Sequence, residues 1–128
     1  MSSISIEKVS ATKITLIPNG FVVQPFLYIL NNNVTTDTTI SNNYVSTTYI
    51  YSVDTTTSIT ITLPLISETV QVIIVIRDKT GGAGANPITI LPYSITGSNT
   101  IQNTNTLTIG NANQLITLTS DMLNNWFY

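Results

Sequence analysis

Strict alternation of β-branched residues constrains this chain more than any other feature. In residues 58–63, "SITITL", Ile59, Ile61 and Leu63 fall on one side while Thr60 and Thr62 fall on the other. That is the period of two expected of a strand with one buried face. The pattern returns in residues 100–110, "TIQNTNTLTIG", where Ile101, Leu107 and Ile109 share a side that Asn103 and Asn105 interrupt. Residues 70–78, "VQVIIVIRD", are apolar on both sides from Val72 to Ile76, which predicts a central strand covered on both faces.

Further strands are expected at residues 4–9, 13–17, 21–30, 44–53, 87–91 and 114–119. Turn-forming clusters separate them: "PNG" at 18–20, "NNN" at 31–33, "SNN" at 41–43, "TGSN" at 96–99 and "GNAN" at 110–113. Only "LISETV" and "SDMLNNW" offer as much as one helical turn. The expected fold is therefore one all-β domain over residues 1–128. It is an antiparallel β-sandwich or an interwoven β-structure of about nine short strands. A join near residues 54–58 separates residues 1–57, a candidate attachment region, from residues 58–128.

The alphabet agrees, with 23 Thr, 19 Ile and 14 Asn among 128 residues. Thr and Ile are stiff at the first side-chain torsion and suit a pleated sheet. Charged residues make up 8% of the chain, against about 25% in an ordinary soluble domain, so the usual charged gatekeepers of sheet edges are scarce. Edges are then expected to be covered by closure or by copies of the same chain, with homo-oligomerisation the economical solution. Four Lys plus Arg and a net charge of −2 cannot neutralise a run of phosphates, which argues against a nucleic-acid partner. No run of about 18 apolar residues appears, so membrane insertion is not expected.

The chain contains neither Cys nor His, which removes thiol chemistry, disulfides, imidazole bases and the commonest metal ligands. The six acidic residues are scattered, and Asp37, Asp54 and Asp121 sit in no spaced calcium-loop motif. No enzyme activity, cofactor or metal is expected. The segment "RDKTGGAGANPITI" at 77–90 is the nearest thing to a phosphate loop, yet it lacks both the Gly-x-x-x-x-Gly-Lys-Ser/Thr and the Gly-x-Gly-x-x-Gly spacings. It predicts a strand, a turn and another strand, with Asp78, Gly81, Gly82, Gly84, Asn86 and Pro87 as the structural turn. Tyr44, Tyr49 and Tyr51, flanked by Asn and Thr, are candidate glycan contacts, with core packing as the competing reading. The closing Trp126, Phe127 and Tyr128 are a candidate subunit interface.

Together "SITITLP", "VIIVIRDKTGGAGANPITILP" and the closing "ITGSNTIQNTNTLTIGNANQLITLTSDMLNNWFY" resemble a module of viral fibre and phage tail-fibre proteins, over about residues 58–128. In that family a strand ends in a "KD-x-x-G-x-A-x-x-N-P-I-T-I" turn, a threonine-rich strand follows, and a last hairpin closes on Trp. Here Arg77-Asp78 stands for Lys-Asp, "TGSNTI" for an Ile-Asp-Gly turn, and "SDMLNNW" lacks the glycine of the Ser-Asp-Gly-x-x-Trp hairpin. The resemblance implies a structural protein of the virion surface: a fibre, spike head or capsid-decorating protein. It further implies a homotrimer packed about a three-fold axis, contacts with other virion proteins of the capsid or tail, and attachment to a host surface glycan or receptor. The alternative expectation is a monomeric carbohydrate-binding or adhesin-type β module.

Overall fold

The computed structural model describes residues 12–17, 20–25, 29–42, 47–94 and 99–128, the first two segments as backbone only. The strand expected at 4–9 lies outside them, as do Tyr44 and the tip of the "TGSN" turn. All regular structure among the described residues is β-strand.

Strands β1 (Thr12–Ile17) and β2 (Gly20–Pro25) form an antiparallel hairpin of their own. A six-stranded sheet carries β3 (Ile29–Val34), β5 (Thr48–Val53), β7 (Ile73–Asp78), β11 (Leu115–Ser120), β12 (Asn125–Phe127) and β9 (Thr100–Ile101), in that spatial order. A four-stranded sheet carries β10 (Leu107–Ile109), β8 (Ile88–Leu91), β6 (Ile59–Thr62) and β4 (Thr38–Thr39).

The chain alternates between these two sheets. It runs along β3, crosses to β4, returns for β5, crosses to β6, and repeats the circuit with β7 and β8. Each visit to a sheet therefore arrives in the same direction, so β3, β5 and β7 pair in parallel, as do β4, β6 and β8. This is a β-solenoid-like stack. It corrects the antiparallel expectation, because a crossing to a second sheet permits parallel pairing where a two-residue hairpin cannot. Antiparallel pairing returns at the far end, where β10 pairs with β8, β11 with β7, and β12 with β11.

Alternation becomes ladders of like side chains. In the four-stranded sheet Ile59, Ile88 and Ile109 form one inward rung, and Ile61, Ile90 and Leu107 the next. Tyr49, Ile74 and Leu118 form a rung of the larger sheet, followed by Tyr51, Ile76 and Ile116. Both sheets contribute to one core, where each large aliphatic side chain contributes about 1.5–3 kcal/mol by leaving water. Residues on either side of the join at 54–58 share that core, and the join itself is the arch between β5 and β6.

Three local expectations change in context. The asparagine run 31–33 lies inside β3, held there by continuous six-residue register with β5, a tertiary pairing that overrides turn propensity. Strand β7 is internal to its sheet, but only Ile74 and Ile76 are fully buried, and Ile73 and Val75 on the opposite face are half-buried. The 100–110 alternation is not one strand: Gln102 and Asn103, at φ 45 and 65, reverse the chain, so that β9 and β10 join different sheets. The two expected helical turns are instead bends whose backbone donors are taken by Ser67 and Asp121.

Candidate functional site

Residues 77–90 fold as strand, arch and strand, with the carboxylate of Asp78 at the centre of the arch. Asp78 is buried at the end of β7. Its Oδ1 accepts from the Thr55 hydroxyl at 2.6 Å, the Gly81 N–H at 2.9 Å and the Thr80 N–H at 3.2 Å. Its Oδ2 accepts from the N–H groups of Ala83 and Asn113, both at 3.0 Å. One side chain thus ties together the β7–β8 arch, the β5–β6 arch and the loop before β11. Burial alone would raise its pKa, but the Thr55 hydroxyl and the N–H groups of Ala83, Asn113 and Gly81 outweigh burial and hold the carboxyl well below the usual range.

The remaining turn residues divide by role. Gly81 takes φ +81, where a side chain is strained. Gly82 has ordinary backbone, but a Cβ there would lie 2.5 Å from the carbonyl oxygen of Thr55. Its N–H also donates to the Thr55 hydroxyl at 2.8 Å. Asn86 donates from Nδ2 to the Thr55 carbonyl at 3.0 Å and the Thr56 carbonyl at 3.2 Å, stitching the two arches together. Pro87 offers its carbonyl to the Ile59 N–H at 3.4 Å as β8 begins. Gly84 is the exception: it has neither positive φ nor a close neighbour, so nothing in the arch demands glycine there.

Tyr49 and Tyr51 are buried, each 7% exposed, on the inward face of β5. They are core residues, which corrects their assignment as glycan contacts. Burial, and then the proximity of Tyr49, pushes the Tyr51 hydroxyl up to about 12. Trp126 is also fully buried within its own chain, while Phe127 and Tyr128 remain largely exposed. Of the closing aromatic run, only the last two side chains are left to meet a partner.

Three further aspartates are spent on backbone. Asp37 accepts from Thr60 N–H, Asp54 from Thr56 N–H, and Asp121 from the N–H groups of Leu123, Asn124 and Asn125. The Asn125 hydrogen bond is the main cause that lowers the Asp121 pKa, against partial opposition from burial. Among the described residues no group of three or more acidic side chains is placed to hold a metal ion. The turn at Asp121 puts Met122 at φ 62, left-handed backbone that glycine adopts without strain.

No protein-family model and no curated protein matches the sequence.

Two surfaces emerge that sequence reading did not single out. The first is the outward face of the six-stranded sheet. Register aligns Ile29, Thr48, Ile73, Thr119 and Phe127 in one row across five strands, and Asn31, Ile50, Val75 and Thr117 in the next. Ile29 is 56% exposed, and Leu115 and Phe127 are also exposed. The signal was present in the two-sided apolar run at 72–76. The second is a groove of about 530 Å³ at the ends of β4, β6 and β8.

Proposed function

We propose that this chain is a non-enzymatic structural module of a virus particle's surface, a fibre, spike head or capsid-decorating protein, and that it works as a homotrimer. The single observation that carries the oligomeric reading is the outward face of the six-stranded sheet. Ile29, Ile50, Ile73, Val75, Leu115 and Phe127 all lie on it, and Arg77 is its one cation in β7. At about 4.8 Å per strand the Ile29-to-Phe127 row spans roughly 19 Å, the scale of the apolar centre of a protein interface. Self-association would cover this face without calling on charges that the chain lacks.

The viral assignment rests on the resemblance of residues 58–128 to fibre modules. The stretch that carries it folds as β7, the Asp78-centred arch and β8, and the closing Trp126 is anchored in the core. The closing hairpin departs from that pattern, with Met122 after Asp121 and three residues rather than two before Trp126.

Sedimentation velocity at low micromolar concentration tests the assembly. The parent chain is expected to sediment as a trimer, and Val75→Glu as a monomer with little change in far-ultraviolet circular dichroism, because the added charge is costly only where association buries it. A soluble monomeric parent overturns the trimer and favours the monomeric carbohydrate-binding module. Immunogold labelling of purified particles tests the location: absence of label from the particle surface overturns it.

A further inference from the structure

The groove at the ends of β4, β6 and β8 does not belong to the arch or to the outward face of the larger sheet. Thr39, Thr62 and Leu91 are register partners on three adjacent parallel strands, so they line up as one row across the sheet at successive spacings of about 4.8 Å. Pro92, Tyr93 and Ser94 continue from β8 along one wall, and Asn99 and Asn105 are the other lining residues among those described. At about 530 Å³ the groove falls within the range of about 300–1,000 Å³ typical of small-ligand sites.

Its chemistry narrows the ligand. None of these lining residues is acidic or basic, so none of them compensates a charged ligand, and an ion desolvated against them would be costly. The polar groups are hydroxyls and amides, each able to donate and accept. No side-chain hydrogen bond to another described residue engages Thr39, Thr62, Tyr93, Ser94 or Asn105. Asn99 is 3% exposed and its Oδ1 accepts the Ile66 N–H at 3.0 Å. That bond fixes the amide and leaves its Nδ2, which has no acceptor among the described residues, as a donor. Leu91, Pro92 and the Tyr93 ring supply apolar surface beside these groups, the combination that suits a molecule with hydroxyls on its rim and C–H groups on its faces.

We propose that this groove is a binding site for a neutral oligosaccharide, with Tyr93 stacking on a sugar ring and Thr39, Thr62, Ser94, Asn99 and Asn105 exchanging hydrogen bonds with its hydroxyls. The site is separate from Tyr49 and Tyr51, which lie in the core, and it stands whether the chain is a trimer or a monomer.

A glycan array bearing neutral, sialylated and sulfated oligosaccharides, probed with the full chain, tests the ligand class. Titration calorimetry with the best neutral glycan then tests the site. Neutral glycans are expected to bind in preference to charged ones, with affinity falling tenfold or more in Tyr93→Ala and at least severalfold in Thr39→Val, an exposed position that keeps the test if Tyr93→Ala does not fold. Tyr128→Ala, an exposed aromatic elsewhere, is expected to bind like the parent. Failure to bind any neutral glycan, preference for sialylated or sulfated ones, or unchanged affinity in both Tyr93→Ala and Thr39→Val overturns the proposal. An equal loss in Tyr128→Ala overturns it as well.

Discussion

Replacing Asp78 by Asn keeps the shape of the side chain and removes one acceptor atom, so it isolates what the carboxylate does. Five donors converge on Asp78, three on Oδ1 and two on Oδ2. An asparagine must turn its NH2 toward one of these groups. With the nitrogen at the Oδ2 position, the N–H groups of Ala83 and Asn113 both lose their acceptor. With the nitrogen at Oδ1, the N–H groups of Thr80 and Gly81 lose theirs, and only the Thr55 hydroxyl can rotate to accept. At least two backbone donors are orphaned either way, each costing about 1–3 kcal/mol, so a loss of about 4 kcal/mol is expected. With an unfolding entropy of about 2.1 cal/mol/K per residue, this corresponds to a fall in Tm of roughly 15 °C at pH 7.

The pH dependence supplies an internal control. The Asp78 pKa is depressed by folding, so its contribution is fully present above the unfolded value of about 3.9 and fades as pH falls toward the lower folded value. Parent and Asp78→Asn should therefore melt far apart at pH 7 and converge as the pH drops below about 4. Thermal melts by circular dichroism across pH 2–7 measure both effects. A variant that melts within about 3 °C of the parent at pH 7, or a gap that widens in acid, would refute the role given to this carboxylate.

The three arch glycines should rank by geometry. Gly84→Ala should be neutral or slightly stabilising, Gly81→Ala should cost about 1–2 kcal/mol from its left-handed backbone, and Gly82→Ala should cost most, because its Cβ meets the Thr55 carbonyl at 2.5 Å. Chemical denaturation of the three variants reads the order, and Gly84→Ala as the least stable would overturn it. Met122→Gly should stabilise the chain by about 1 kcal/mol, since a side chain now occupies φ 62 there. A lower denaturation midpoint for Met122→Gly contradicts that account.

Much of the sheet structure was legible because its signal is local. In residues 58–63 the alternation names the strand and also its buried face, and Ile59, Ile61 and Leu63 are inside as the period requires. The turn at 79–87 was legible as a turn for the same kind of reason, since glycines and Asn-Pro interrupt two apolar runs. Which glycine matters was not legible. Gly82 is required by the carbonyl of Thr55, 27 residues away, and no window of sequence around Gly82 contains that contact. Tyr49 and Tyr51 posed the same difficulty, because an aromatic in a strand suits a core or a ligand equally until its face is known.

What the sequence by itself determined is the all-β character, the inward side of several strands and the absence of thiol and imidazole chemistry, each a property of residue type or of neighbours two apart. Only the tertiary structure decided that the strands from β3 to β8 visit alternate sheets and therefore pair in parallel within each. Parallel and antiparallel ladders demand the same alternation of side chains. The choice between them depends on where each turn sends the chain, and here that destination is held by Asp78 drawing together three loops that the sequence keeps apart.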